Sequence, residues 1–102
     1  MTSGTSNCDV NKTVQLDQQQ EVFVAQNHEA LSDDMSMGQG EFLVAYSHLL
    51  GCDNAAYTTF SRVTQDNFDT IFANAHVAQD ILANTKNIIT LIPELSQACT
   101  AI

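Results

Sequence analysis

The sequence predicts an all-α fold: a compact bundle of about four to five short helices, with an irregular N-terminal segment. Three observations predict it. Apolar residues recur at three- and four-residue spacings from Val24 to Ile92. Glycines, Pro93 and cap-type residues separate those stretches at short intervals. The chain has 102 residues and no internal repeat or linker, which is the size of one domain.

Residues 1–16 read as irregular, because Ser, Gly, Thr and Asn dominate up to Asn11. The single helical domain is expected over 17–102. Asp17 suits an N-cap, with Gln20 three residues on as in a capping box. Val24, His28, Leu31 and Met35 then follow at spacings of four, three and four. That pattern predicts one amphipathic helix over about 18–36. The β-branched Val22 and Val24 leave an extended start open.

Gly38 is placed to end this helix. Phe42, Leu43, Tyr46, Leu49 and Leu50 mark a second helix over about 40–50, which Gly51 stops. Asp53 can cap the next, whose face carries Tyr57, Phe60, Val63 and Thr64. Phe68, Ile71 and Phe72 continue nearly in phase. Thr64-Gln65-Asp66-Asn67 is rich in side chains that compete for backbone hydrogen bonds, so two helices with a bend near Thr64 are expected. Val77, Ile81, Leu82, Ile88, Ile89 and Ile92 describe a long helix over about 76–91. Pro93 ends it, and Leu95 and Ala98 form one last turn that packs the tail.

Composition excludes several functions. Twelve acids face three bases, a net charge of −9. Lys12, Arg62 and Lys86 alone cannot build the basic patch that nucleic acid requires. Anionic membrane surfaces would repel the chain, whereas a cationic protein partner, or solubility alone, fits the charge. No apolar run reaches the roughly 18–20 residues that span a bilayer. No signal peptide opens the chain, and Met1 before Thr2-Ser3-Gly4 reads as a start added to a truncated protein.

Cys8, Cys52 and Cys99 stand far apart, without a Cys-x-x-Cys pair for zinc or redox work. Three single bridges are open, each leaving one thiol over. Cys52 follows a helix end and Cys99 sits in a tail that needs anchoring, so Cys52–Cys99 is the favoured pair. It would close a loop of about 48 residues, worth roughly 4 kcal/mol as an upper estimate, and it requires an oxidising compartment. Three separate thiols, with Cys52 and Cys99 buried as small apolar residues, is the alternative.

No constellation in the sequence points to catalysis or to a resident cofactor. Gly38-Gln39-Gly40 lacks the third glycine of a dinucleotide loop and the Gly-Lys pair of a phosphate loop. It reads as the corner between two helices, with Glu41 suiting the new N-terminus. Asp33 and Asp34 are adjacent and so diverge on a helix. His28, His48 and His76 lie on three segments in no metal-ligand spacing, and His28 is expected as a hydrogen-bonded interfacial residue. Arg62 is expected to pair with Asp66 or Asp69. Met35, Met37, Phe42 and Tyr46 cluster around the corner and could line a plastic binding surface, although core packing explains them better.

Five ordered stretches, SGTSNCD at 3–9, VFVAQN at 22–27, DMSMGQGEFL at 34–43, LLGC at 49–52 and TQDNFDTIF at 64–72, carry a further signal. Together they resemble a family of small exported bacterial proteins, the domain of unknown function 3015. The resemblance covers about residues 3–73. It implies export in a Gram-negative bacterium, to the periplasm, with a signal peptide and a Gly-rich segment upstream. It also implies an upstream cysteine as the natural partner of Cys8. It supplies no catalytic residues. The expectation is therefore a periplasmic or secreted non-catalytic binding or structural module, with its partner and oligomeric state open. The alternative is a divalent-metal-binding protein or metal-dependent enzyme using His and acidic residues.

Overall fold

Two asparagines bend the chain, Asn27 inside a predicted single helix and Asn67 beside a predicted bend. A computed structural model describes residues 16–73 and 75–102. In chain order these form α1 (16–26), α2 (His28–Met37), α3 (Glu41–Leu49), a single 3-10 turn (Asn54–Ala56), α4 (Tyr57–Asp66), α5 (Phe68–Phe72), α6 (Ala78–Leu91) and α7 (Pro93–Ala98). Of the predicted irregular segment 1–16, residues 1–15, with Cys8, lie outside the described residues, and Leu16 is already helical. Asp17 is already inside α1, so it is not the expected N-cap; its carboxylate instead pairs with Lys86 at 2.6 Å.

The predicted helix over 18–36 is α1 and α2 joined at Asn27. There the side-chain Nδ2 donates to the Phe23 carbonyl at 3.0 Å, competing with the backbone N–H for the same acceptor. Asn67 does the same to the Val63 carbonyl, at 2.8 Å, between α4 and α5. That bend falls three residues after the predicted Thr64, which is buried and bonds back to the Phe60 carbonyl. The bend at Asn27, and the last turn folding as a helix of its own from Pro93, raise the helix number above the expected four to five; the bend at Asn67 corresponds to the one expected near Thr64. Val22 to Val24 are helical, not extended.

The glycine corner folds as predicted, with one correction. Gly38 terminates α2 at φ 75, in the left-handed region that glycine enters without strain. At the start of α3 the acceptor for the Phe42 N–H is the Asp34 carboxylate, at 2.9 Å, reaching across from α2. Gly40 makes this reach possible: its φ is 141, and a Cβ there would lie 2.1 Å from the Asp34 carboxyl carbon. Glu41 stands in the first turn, exposed, where it favours the helix dipole.

α4 is the central helix, in contact with α2, α3, α5, α6, α7 and the 3-10 turn. Its Phe60, Val63 and Thr64 are buried with Leu31, Met35, Leu43, Tyr46, Ile71, Ile89 and Leu95. An aromatic series crosses this core: Phe23 stacks on Tyr46 at 6.0 Å, and Tyr46 meets Phe60 edge-on at 6.1 Å.

The C-terminal tail is fastened at three points. Cys52 and Cys99 form a disulfide across a sequence separation of 47, within an isolated antiparallel bridge. The Thr100 and Ala101 N–H groups donate to the Gly51 and Leu50 carbonyls at 3.2 and 3.0 Å. Gln20 of α1, fully buried, donates through Nε2 to both the Leu49 and the Ala101 carbonyls at 2.8 Å. Pro93 starts α7 at its first helical position after an extended Ile92, as its fixed φ favours.

Candidate binding surface

Burial of Gln20 and Val24 fixes which side of α1 faces the core. The opposite side presents Gln18, Val22 and Gln26 at four-residue spacing, and the adjacent row, Gln19, Phe23 and Asn27, runs along the flank, where Phe23 packs against the core. With Leu49 at the end of α3 they line an open groove of about 760 Å³. Each row reads amide, apolar, amide. Gln18, Gln19 and Gln26 are exposed, Val22 is 49% exposed, and Phe23 is half-buried against Tyr46. None of the lining residues is ionisable, although the whole chain carries −9. Such a surface can both donate and accept hydrogen bonds over an apolar floor. The sequence signal for this surface is the repeat of amides eight residues on, Gln18 with Gln26 and Gln19 with Asn27.

The predicted Met and aromatic surface does not assemble. Met35 and Tyr46 are fully buried, Phe42 is half-buried against Phe23, and Met37 alone is well exposed, at 59%. The spacing of Met35 and Tyr46 on their helices turns both into the core, which leaves no shared outer face.

The remaining chemical groups are dispersed or engaged. His28 is exposed and rests against Phe72, with ring centroids 6.1 Å apart, not in a hydrogen-bonded interface. It shares a pocket of about 360 Å³ with His76, on the loop before α6. The Asp80 carboxylate accepts the His76 backbone N–H at 3.0 Å. His48 stands apart, paired with Asn54 at 3.1 Å. Among the described residues no three His, Cys, Asp or Glu side chains gather where they could hold a metal ion. Arg62 is exposed and makes no ion pair with Asp66 or Asp69; among the described residues the ion pair is Lys86–Asp17.

Two phenols are perturbed. Burial pushes the Tyr46 hydroxyl well above its ordinary range, with the Thr85 side chain offsetting part of the effect. That oxygen has no partner of good hydrogen-bond geometry among the described residues, and the Thr85 hydroxyl donates to the Ile81 carbonyl. Tyr57 is raised by burial too; a backbone hydrogen bond at Gly40 opposes the rise and the Asp34 carboxylate adds to it. Neither phenol is poised for proton transfer near neutrality.

A family model described as "Protein of unknown function (DUF3015)" matches residues 1–99. The chain belongs to this family. DUF3015 membership agrees with the resemblance read from the five ordered stretches and extends it beyond α5 to the disulfide-bonded tail. No curated protein and no solved structure matches the chain. Residue roles in this DUF3015 domain therefore follow from its geometry. No helix among the described residues is long and apolar enough to cross a membrane.

Proposed function

We propose that this chain is an exported, non-catalytic binding or structural module, and that it binds through the groove along α1. The observation that carries the reading is the contrast between this groove and the ionisable side chains. The groove is open and uncharged. Elsewhere Asp34 and Asp53 serve as caps, Asp80 holds a backbone N–H, Lys86 pairs with Asp17, and Tyr46 is in the core. Export is supported by the Cys52–Cys99 bond, which an oxidising compartment sustains. The negative charge supports solubility and discourages anionic partners.

Site-specific photo-cross-linking in cells tests the reading. A benzophenone side chain is placed at position 22, in the groove, and separately at position 91, where Leu91 is 77% exposed on α6. Protein adducts are expected from position 22 and not from 91. Equal labelling from both, or none from position 22, overturns it.

A second reading, divalent-metal binding, draws on His28 and His76 lining one pocket. Thermal shift with zinc and copper ions discriminates it: unchanged melting in excess metal removes it.

A further inference from the structure

We propose that the partner of the α1 face is a second copy of this chain, docked antiparallel about a two-fold axis near Val22. This rests on the reading of the α1 groove as a binding surface and names its occupant.

The sequence of the face is nearly palindromic. Amides stand at Gln18 and Gln19, apolar residues at Val22 and Phe23, and amides again at Gln26 and Asn27. A copy turned end over end brings Gln18 and Gln19 opposite Gln26 and Asn27, and Val22 opposite Val22. A two-fold interface must be self-complementary. A primary amide meets that demand, because it donates and accepts. A carboxylate or an ammonium group facing its own copy does not.

Charge selects the same face. Each copy carries −9, so two copies repel at any face, and least where no ionisable group stands at the contact. The groove lining has none. Asp17 and Glu21, also four residues apart, form the flanking row on α1, where Asp17 is engaged by Lys86. Pairing covers Val22, exposed by half in the single chain, in both copies at once. A contact confined to one helix face belongs to the small, transient class of interfaces, so the association is weak and concentration-dependent.

Sedimentation equilibrium on the oxidised full chain, over a range of about 10 μM to 1 mM chosen for weak dimers, tests the proposal. A monomer–dimer equilibrium is expected. Adding salt should tighten it severalfold, because screening weakens the repulsion between like-charged copies. Val22→Glu should weaken it at least tenfold with helicity unchanged by circular dichroism. Leu91→Glu, which adds the same charge to an exposed apolar site on α6, should leave it within twofold of Leu91→Gln. Gln19→Glu serves as a second groove variant with the same expected loss. A monomer throughout, association weakened by salt, or equal loss from Leu91→Glu and Val22→Glu overturns the proposal. A cross-link from position 22 to a different protein, with no self-association, also overturns it while leaving the binding reading intact.

Discussion

The Gln20 side chain and the Ala101 carbonyl, 81 positions apart, are joined by a hydrogen bond of 2.8 Å, and the same amide nitrogen also serves Leu49. One buried side chain thus ties α1 to the end of α3 and to the C-terminal tail. Its own Oε1 has no partner among the described residues. Gln20→Met keeps the length and removes both bonds, leaving two carbonyls without their donor. A loss of about 1–3 kcal/mol is expected, measured by urea unfolding. Gln20→Glu should cost more at neutral pH, since burial raises the carboxyl pKa in the folded state only. Stability of that variant should therefore rise as the pH falls. A flat pH response would show that the new carboxylate reaches solvent.

Asp34 and Gly40 form a pair in which each residue requires the other. The carboxylate caps α3 only because no Cβ stands between it and the Phe42 N–H. Asp34→Ala should cost about 0.5–2 kcal/mol, as for other lost caps. Gly40→Ala meets both the side-chain clash and a backbone conformation unfavourable for alanine, and about 2 kcal/mol or more is expected. Removing Asp34 relieves the clash, so the double variant should cost less than the sum of the two. Additivity in a denaturant-based cycle would mean that the clash contributes little.

Tyr46 predicts an alkaline signature. Its pKa is raised in the folded state by burial, whereas in the unfolded chain it ionises near pH 10. Its contribution is therefore fully present below about pH 10 and is lost as the pH climbs toward the folded value. Tyr46→Phe removes a hydroxyl that has no good partner, so stability at pH 7 should change by less than about 1 kcal/mol. The fall in stability above pH 10 should become shallower in that variant. An equally steep fall would assign the alkaline effect to other groups, Tyr57 among them.

Features that depend on local chemistry were legible in the sequence. Gly38 and Gly51 end helices, Asp53 accepts the Ala56 N–H at 2.8 Å, α6 stops before Pro93, and Cys52 meets Cys99. Features decided by distant backbone were not. Gln20 looks like a surface residue until the carbonyls of Leu49 and Ala101 arrive beside it. Asp34 looks solvated until Gly40 turns α3 toward it. Met35 and Tyr46 have the chemistry of a binding surface, and only packing against α4 consumes them. The α1 face escaped for a related reason: a row of neutral amides gives weak hydrophobic periodicity, and its significance emerges once Gln20 and Val24 fix the inward side.

The disulfide carries the most direct prediction about where the protein acts. Cys52 and Cys99 are both buried, and the bond is backed by the Gly51–Thr100 and Leu50–Ala101 hydrogen bonds. Gly51 is required at this crossing: its φ is 80, and a Cβ would lie 2.6 Å from the Ala101 nitrogen. Closing a loop of separation 47 stabilises by roughly 4 kcal/mol in the chain-entropy model. Cys52→Ala with Cys99→Ala should therefore lower the urea midpoint strongly, and reductant should do the same to the native chain. In cells the two thiols should resist alkylation until a reductant and denaturant are added. Rapid alkylation of both in the native host, without reductant, would place the protein in a reducing compartment and remove the support for export.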